Sequence, residues 1–497
     1  MLVSTRGGAA NSPSGAILTG IAPDGGLYAP QEFPTFSMDD VATLIPLPYP
    51  DRAFVILRAL LEDFTEEELR GATEAAYQNK FGGNPAPVRT LNGNTHMLEL
   101  FHGPTLAFKD MALQLLPHLL SLSAKKNGIK DEICVVTATS GDTGKAALEG
   151  FCDVPGTCCL VFYPKDGVSK TQYLQMATQK GGNTSVIAVT GNFDAAQTGV
   201  KRIFTDPEIH QKLKTQNRML TSANSINYGR LVPQVAYYFS AYADLVARKS
   251  IRLGDKVHFA VPTGNFGNIL AGLYAKRMGL PVGRLLCASN ANRVLSDFIC
   301  GGIYDVNRPF YKTDSPSMDI LVSSNLERYL FHLTGGDADR VRHFMEKLAA
   351  DGYYAVEKEL HQTLRDEMTG GWISGDETSQ TILRVFQETQ TLIDPHTAVA
   401  FAMLNRYRTA TRDKTPAVIV STASPYKFGN AVARALNCAE KSELACCEAI
   451  ARATGQPVPE SILRLYQDPV LHHTECAPDE MKACFLELFQ VTLPRYQ

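Results

Sequence analysis

The sequence predicts an α/β fold with two lobes, each a parallel sheet in a three-layer arrangement with covering helices. Six short apolar segments alternate with stretches of helical periodicity, and a segment that is apolar almost throughout fits a strand buried on both faces. The segments are residues 133–136, 159–162, 186–189, 257–261, 285–287 and 418–420. The chain has 497 residues, enough for about two to four domains.

An N-terminal helical part precedes this alternation. Apolar residues from Val55 to Phe64 recur at helical spacing, and Thr65 followed by Glu68 predicts a capping box that opens another helix.

The rest of the chain divides into two lobes. A polar, helix-rich stretch at about 325–390 is predicted to be a helical insertion, and the residues from Ser442 onward are predicted to be helical. The predicted boundaries are 1–90 for the N-terminal helical domain, 91–130 and 251–497 for the large lobe, and 131–250 for a smaller, mobile α/β lobe.

The composition excludes several classes of partner. Lys and Arg number 48 against 51 Asp and Glu, a formal net charge of −3, so the basic excess of a nucleic-acid-binding protein or a basic membrane anchor is absent. No stretch approaches the roughly 18 apolar residues of a membrane span. The predicted partner is therefore a small molecule, and the sequence leaves open whether the protein is a monomer or a homodimer.

The eleven cysteines are predicted to be reduced thiols in a cytoplasmic protein. They show no paired C-x-x-C spacing of the kind that builds a tetrahedral zinc site. His472, His473 and Cys476 come nearest to a ligand cluster, but they lack a second group of ligands and fit a surface turn. We therefore predict no metal.

A first glycine-rich turn, residues 140–144, follows the strand at 133–136. Ligands of parallel sheets bind beyond the carboxyl ends of the strands, where such turns lead into helices. Ser140, Thr143 and free amides at the start of the next helix are suited to binding a carboxylate. Lys145 follows, but the flanking residues lack the glycine and the Ser or Thr that a phosphate-binding P-loop requires.

A second turn, residues 263–268, precedes the helical run 269–277. Unpaired amides and the helix dipole favour negative charge there, which predicts a cradle for an anion. The spacing of Gly264 and Gly267 does not match the dinucleotide pattern G-x-G-x-x-G, which disfavours NAD. A third turn would present Thr422 at the same edge.

Lys109 is the predicted nucleophile. It lies between an aromatic-apolar run and an amphipathic helix that contains Met111 and Leu115. Partial burial and the positive end of that helix would both lower the pKa of the amine, as a Schiff-base lysine requires. A cation at that helix end is unfavourable for a merely structural lysine, which favours a functional role.

The segment 98–110, Leu-Glu-Leu-Phe-His-Gly-Pro-Thr-Leu-Ala-Phe-Lys-Asp, resembles the lysine motif of threonine synthases. These are pyridoxal-phosphate enzymes of the tryptophan-synthase-β type, fold type II. The similarity spans nearly the whole chain, with several dispersed motifs in one order. The other matching motifs are residues 4–7, 22–28, 140–144, 224–227, 264–268 and 315–320.

The resemblance implies a cofactor, a reaction and a set of roles. The cofactor is pyridoxal 5′-phosphate, and the reaction converts O-phospho-L-homoserine and water to L-threonine and phosphate by elimination and β-addition of water. Lys109 forms the Schiff base and acts as the catalytic base. The implied cofactor contacts are Gly264, Asn265, Phe266, Gly267 and Asn268 at the phosphate, Thr422 at the pyridine nitrogen and Asp142 near the phenolic oxygen. The implied substrate contacts are Ser140 and Thr143 at the carboxylate, and Asn224, Ser225 and Arg230 at the phosphate, with Lys427 as a second phosphate candidate.

One departure from the family pattern concerns residues 424–428. Many members have His-Pro-Ala-Lys-Phe where this chain has Ser-Pro-Tyr-Lys-Phe, so a potential acid, base or phosphate ligand is missing. Three other functions stay open at this point: a lyase of the same fold whose product is a keto acid, a nucleotide-binding protein that uses the first turn, and a catalytically inactive relative that only binds.

Overall fold

The computed structural model describes residues 1–139 and 141–491. Its strands are β1 (Leu2–Ser4), β2 (Tyr28–Pro30), β3 (Val88–Asn92), β4 (Thr95–Glu99), β5 (Glu132–Ala138), β6 (Thr157–Pro164), β7 (Thr184–Val189), β8 (Arg218–Thr221), β9 (Val257–Pro262), β10 (Val282–Ser289), β11 (Ile303–Asp305), β12 (Tyr353–Ala355), β13 (Met368–Trp372), β14 (Ala417–Ser421) and β15 (Thr474–Cys476). Its helices are α1 (Pro13–Thr19), α2 (Met38–Thr43), α3 (Tyr49–Leu60), α4 (Glu66–Tyr77), α5 (Asp110–Leu113), α6 (Leu116–Lys126), α7 (Asp142–Phe151), α8 (Lys170–Ala177), α9 (Phe193–Thr205), α10 (Pro207–Thr215), α11 (Tyr228–Leu231), α12 (Pro233–Ala247), α13 (Gly267–Arg277), α14 (Val294–Gly301), α15 (Leu326–Leu333), α16 (Ala338–Asp351), α17 (Lys358–Glu367), α18 (Gly375–Thr389), α19 (Pro395–Thr411), α20 (Gly429–Ala435), α21 (Glu443–Thr454), α22 (Glu460–Leu465) and α23 (Met481–Val491), with short 3₁₀ helices at Pro316–Met318 and Pro425–Phe428.

The larger sheet has the strand order β13-β10-β9-β14-β4-β3. Its first five strands are parallel, and β3 pairs antiparallel with β4 at the edge. Alternate residues of β9 enter opposite cores: Phe259 packs in the cluster that contains Tyr238 of α12, and Ala260 packs in the cluster that contains Val399 of α19. The central strands are therefore buried on both faces, as their apolar sequences predict.

The smaller sheet has the order β15-β7-β6-β5-β8, and all its strands are parallel. Its two faces also lie in different cores, since Val135 belongs to one apolar cluster and Val136 to another. Two parallel sheets with covering helices confirm the predicted α/β fold class.

The N-terminal part is mostly helical and contains the predicted capping box. Thr65 Oγ1 accepts a hydrogen bond from the Glu68 N–H at 3.2 Å, and Glu68 Oε2 accepts one from the Thr65 N–H at 2.8 Å. The strands β1 and β2 form an additional antiparallel pair. Helix α1 packs on α6 and α3 packs on α12, so these helices share the apolar core of the larger lobe.

The stretch 325–390 is mainly helical, but it contains a strand that the sequence analysis missed. Strand β13 pairs parallel with β10 and extends the larger sheet. Its centre is Gly370-Gly371, and glycine is depleted in strands. A Cβ at Gly370 would lie 2.9 Å from the Ser296 carbonyl oxygen, and one at Gly371 would lie 2.2 Å from Met403 Sδ. Close packing against α14 and α19 thus explains why glycine occurs at both positions. These glycines are also the reason that the sequence does not read as a strand.

The C-terminal region is also more than helical. Strand β15 pairs with β7, so residues 474–476, which the prediction assigned to the large lobe, lie in the smaller sheet. Helix α23 packs on α9 of the same lobe. A three-residue strand with two exposed residues is too short for a periodicity argument.

The amphipathic helix predicted after Lys109 consists of two helices, α5 and α6. Pro117 lies in the first turn of α6, where proline is tolerated, but its ring would clash with the carbonyl of Leu113 in a continuous helix. Among the described residues, no helix is both long and apolar enough to cross a membrane.

Candidate active site

Lys109 lies where the two lobes meet. Its side chain is 11% exposed, and its Nζ is 3.2 Å from Asp142 Oδ2 and donates a hydrogen bond to Ser317 Oγ at 3.1 Å. Asp142 is the first residue of α7, directly beyond the carboxyl end of β5 in the smaller sheet. The contact therefore joins the predicted nucleophile of the larger lobe to the first glycine-rich turn.

Asp142 is bound by two lysines. Its Oδ1 lies 3.1 Å from Lys427 Nζ and accepts a hydrogen bond from Gln172 Nε2, also at 3.1 Å. Lys427 is completely buried and also donates to the Thr105 carbonyl at 2.8 Å. Burial alone would raise the pKa of Asp142, but the charges of Lys109 and Lys427 hold that pKa well below its usual value.

The pKa of Lys109 is lowered, chiefly because burial disfavours the ammonium form. The Asp142 carboxylate opposes the shift, whereas the charges of Lys427 and Arg230 reinforce it. The direction agrees with the sequence-based expectation. The helix contributes little to it, because α5 has only four residues and the helix dipole grows with length.

The second turn joins β9 to α13, with the helix beginning at Gly267, two residues earlier than predicted. Phe266 caps the helix in the left-handed conformation, with φ 62°. A Cβ at Gly264 would lie 2.3 Å from the Ser317 carbonyl oxygen. Glycine is thus required at position 264 because the segment that contacts Lys109 packs directly on this turn.

Two further contacts fix the same turn. The Gly264 carbonyl accepts a hydrogen bond from Ser323 Oγ at 2.8 Å, and the Asn265 carbonyl accepts one from the Asn325 N–H at 3.1 Å. The backbone of the turn is therefore held in place by residues 323–325.

Asn268, in the first turn of α13, carries a buried donor without a partner. The hydroxyls of Tyr237 and Tyr238 lie 2.6 and 2.8 Å from its Oδ1 and donate to it. Its Nδ2 is buried and has no hydrogen-bond partner among residues 1–139 and 141–491. An unused amide donor at a helix N-terminus suits a phosphate group, so the turn fits the phosphate of pyridoxal 5′-phosphate.

The third turn is tied to the lysine segment. The Thr422 carbonyl accepts a hydrogen bond from the Phe108 N–H at 2.8 Å, and Ala107 pairs with Ala423 in an isolated β-bridge. Thr422, which follows β14, is buried. The structure thus brings Thr422 beside the residue that precedes Lys109.

Arg230 is a buried cation with unused hydrogen-bonding capacity. Its Nη1 donates to the Ala223 carbonyl at 2.8 Å. Among the described residues, its Nε has no hydrogen-bond partner and no carboxylate forms an ion pair with the guanidinium. Burial lowers its pKa to about 10. A desolvated guanidinium without a counter-ion is costly, so the position is suited to binding an anion, as the sequence predicts.

Asn224 and Ser225 lie in the same segment, between β8 and α11. Asn224 Oδ1 accepts a hydrogen bond from Thr137 Oγ1 at 3.0 Å, which ties it to the carboxyl end of β5. Ser225 Oγ is 3.2 Å from Ser324 Oγ in the larger lobe. The predicted phosphate ligands therefore line the boundary between the lobes.

The described part of the first turn, residues 141–144, makes internal contacts that differ from those of a nucleotide-binding loop. The N–H groups of Gly141 and Gly144 donate to Thr139 Oγ1 at 3.0 and 2.9 Å, so these amides already have partners. Lys145 Nζ binds Glu149 and Gln179. Thr143 is half-buried in the first turn of α7, and Ser140 lies outside the described residues.

The sequence analysis assigned no role to Ser317, His396 or Asp394. These three residues form a chain of hydrogen bonds that begins at Lys109. Ser317 bonds Lys109 directly, and its N–H donates to His396 Nε2 at 3.2 Å. The Asp394-Pro395 pair carries a signal, but that signal indicates a helix N-cap and not catalysis.

One group of metal-ligating side chains occurs among residues 1–139 and 141–491, formed by Glu132, Cys134 and Cys158. The Glu132 carboxylate already pairs with Arg218 at 2.7 Å. Burial raises the pKa of the Cys158 thiol well above its usual value, which opposes the thiolate that metals require. His472, His473 and Cys476 do not form such a group.

Three family models match the chain: "Threonine synthase N terminus" over residues 1–77, "Pyridoxal-phosphate dependent enzyme" over 85–423 and "Threonine synthase, C-terminal" over 397–472. Threonine synthase-like 1 from Homo sapiens is 39% identical over 482 residues, which cover 94% of this chain but only 64% of that protein.

Two other relatives are matched over most of their own length. Threonine synthase from Pseudomonas aeruginosa is 39% identical over 435 residues, which cover 87% of this chain and 90% of the relative. The crystal structure of threonine synthase from Brucella melitensis with bound pyridoxal phosphate is 35% identical, with a TM-score of 0.87 and 99% of each chain covered.

Proposed function

Because the chain belongs to the threonine synthase family of pyridoxal-phosphate-dependent enzymes, we propose that it converts O-phospho-L-homoserine and water to L-threonine and phosphate. The observation that carries the proposal is Arg230, a buried guanidinium that has no carboxylate partner in the described part of the chain and whose charge acts on Lys109. Lys109 can react with the amino group of a substrate, and Arg230 has unused donors for a phosphate group. Together they suit a substrate that carries both groups. The predicted cytoplasmic location is part of the proposal.

In this proposal the substrate phosphate binds Arg230, Asn224 and Ser225. The planar guanidinium can give two parallel hydrogen bonds to a phosphate, and the neighbouring amide and hydroxyl add further donors. Lys427 is less suited to this role, because its Nζ already binds Asp142 and Thr105. The substrate carboxylate would bind at the first turn, through Thr143 and Ser140.

The cofactor phosphate is proposed to bind at residues 264–268, where Asn268 Nδ2 supplies an unused donor. Thr422 would meet the pyridine nitrogen, and Asp142 would lie near the phenolic oxygen. Bound at this site, pyridoxal 5′-phosphate supplies an electron sink for the carbanions that form on the substrate.

Lys109 is the base of the proposed reaction. Its Nζ would take the proton from Cα and pass it to the substrate phosphate, and would then take a proton from Cβ as phosphate leaves from Cγ. That second proton would return to Cγ, which becomes the methyl group. Water would then add its hydroxyl at Cβ, and its remaining proton would pass through Nζ to Cα. The lowered pKa of Lys109 favours the neutral amine that accepts these protons. Closure of the smaller lobe would keep water out until the addition step.

The test is to incubate the purified protein with pyridoxal phosphate and O-phospho-L-homoserine and to quantify phosphate and amino acids. We expect one threonine for each phosphate released, and we expect Lys109→Ala to lower the rate about 1,000-fold or more. Phosphate accompanied by an equal amount of keto acid would contradict the proposal and identify a lyase. We single out this alternative because Ser424 stands where many family members have histidine.

A further inference from the structure

Ser317 has a side chain that bonds both charged partners of the reactive centre. Its hydroxyl accepts a hydrogen bond from Lys109 Nζ at 3.1 Å and donates one to Asp142 Oδ2 at 3.2 Å. It lies in the short 3₁₀ helix Pro316–Met318, between the lysine and the Gly264 turn.

A buried pair, Asp394 and His396, holds the backbone of Ser317. His396 Nε2 accepts the Ser317 N–H at 3.2 Å, and His396 Nδ1 donates to Asp394 Oδ2 at 2.6 Å. Because Nε2 accepts from an N–H group, it carries no proton in this arrangement. The Phe428 ring packs against the imidazole in a T-shaped arrangement, with the two ring centroids 4.8 Å apart.

Asp394 is itself fixed by its position in the fold. It caps α19, accepts the N–H groups of His396 and Thr397 at 3.0 and 3.1 Å, and is completely buried. The Thr397 hydroxyl also donates to it and contacts Ser421 at the end of β14. The orientation of the imidazole is therefore set by a helix N-terminus and by the central sheet.

The hydroxyl of Ser317 can serve both protonation states of Lys109. A carboxylate such as Asp142 only accepts hydrogen bonds, so it stabilises the ammonium form alone. A hydroxyl accepts from the ammonium and can rotate to donate to the neutral amine. Lys109 must pass between these two states each time it takes and returns a proton.

We propose that Ser317 is a catalytic residue that orients the Lys109 amine during proton transfer, and that His396 and Asp394 are positioning residues acting through it. This inference rests on the proposed function of Lys109 as the base. No proton leaves the Lys109 and substrate pair for Ser317, since the hydroxyl only changes the direction of its hydrogen bond.

The test measures exchange of the α-proton of L-2-aminobutyrate with D₂O by NMR, using holoenzyme. This amino acid has no phosphate, so exchange reports on Lys109 without the elimination step. We expect Ser317→Ala to slow exchange about tenfold to a hundredfold with cofactor affinity unchanged, and Ser317→Thr, which keeps the hydroxyl, to recover most of the rate. Ser250→Ala, at an exposed serine, is the matched control and should exchange at the wild-type rate.

The positioning pair is tested by His396→Gln and His396→Leu. The glutamine carbonyl can accept the Ser317 N–H, so its exchange rate should exceed that of the leucine variant severalfold at equal cofactor occupancy. Equal exchange by wild type and Ser317→Ala would overturn the inference, as would absence of exchange by wild type. Normal exchange without threonine formation from O-phospho-L-homoserine would overturn the proposed function alone.

Discussion

The two sides of the cleft handle charge in different ways. Around Lys109, the Asp142 carboxylate meets two lysines, Gln172 and Ser317, so the charged groups already have partners within the protein. Arg230 and Asn268, in contrast, each have a buried nitrogen atom with no partner among the residues that the structure describes. An unpaired buried polar group costs about 1–3 kcal/mol.

The difference separates proton chemistry from ligand binding. The cluster around Lys109 and Asp142 is self-paired, because its charged groups bond one another. It keeps its geometry without a ligand and can adjust the pKa of Lys109. Buried donors without partners occur where a ligand supplies the hydrogen-bond acceptors. The cofactor phosphate would accept a hydrogen bond from Asn268, and the substrate phosphate would accept one from Arg230.

On the side with unpaired donors, the largest effect is expected for Arg230→Gln. Loss of a charged, bidentate donor to phosphate should lower kcat/KM for O-phospho-L-homoserine about 100-fold. Steady-state assays of phosphate release measure this loss, and cofactor affinity should stay unchanged.

Arg328 is the matched buried arginine for this experiment. Its guanidinium donates to Tyr28, Asn325 and Ile226, so Arg328→Gln, which leaves buried acceptors unpaired, should lower the unfolding free energy by about 3 kcal/mol. Arg230→Gln should leave the thermal midpoint of the ligand-free protein equal or higher, because it removes an unpaired charge. Similar destabilisation by both substitutions would show that Arg230 is a structural residue.

Gly264→Ala should weaken cofactor binding about tenfold to a hundredfold. The added Cβ would lie 2.3 Å from the Ser317 carbonyl oxygen and must displace the turn or the 3₁₀ helix, and such overpacking costs about 1–3 kcal/mol. Titration of the apoprotein followed by cofactor absorbance gives the dissociation constant. The control is Gly71→Ala in α4, whose Cβ would have no neighbour within 4 Å; an equal loss there would count against the steric explanation.

The sequence predicted the parts of the site that follow from local pattern. Each apolar strand and the glycine-rich turn after it could be located, because burial on both faces and a strand-to-helix turn leave a local signature. The lysine motif supplied the chemistry through family resemblance. The partners of each charge could not be predicted in this way, since Lys427 is 285 residues beyond Asp142 and no periodicity relates them.

Long-range partners also decide the surroundings of Lys427 and the two strands that the sequence did not predict. A lysine after a substrate-facing turn suggests a phosphate ligand, but the fold buries it between Thr105 and Asp142. Strand β13 is hidden by glycines that tertiary packing requires, and β15 is stabilised only by pairing with β7. These features depend on long-range contacts.

Two substitutions on the self-paired side should shift the pH dependence of Lys109 in opposite directions. Lys427→Gln removes a positive charge that lowers the pKa of Lys109, so that pKa should rise. Asp142→Asn removes the carboxylate that raises it, so the pKa should fall. Only the neutral amine combines with the cofactor aldehyde, so the rate of cofactor binding to the apoprotein should reach its midpoint at higher pH for Lys427→Gln and at lower pH for Asp142→Asn. Shifts in the same direction would contradict the arrangement of charges.

The smallest effect is expected far from the cleft, where the protein satisfies its own helix donors. Thr65→Ala removes the hydroxyl that accepts the Glu68 N–H, and loss of an N-cap of this kind costs about 1 kcal/mol. Chemical denaturation should show that decrease. The values of kcat and cofactor affinity should stay at wild-type levels, because the N–H groups at this helix end bind side chains of the protein and no ligand. Glu67→Gln, at an exposed first-turn residue, should change the unfolding free energy by less. A change in turnover with Thr65→Ala would mean that the N-terminal helices influence the site through the core they share with α6 and α12.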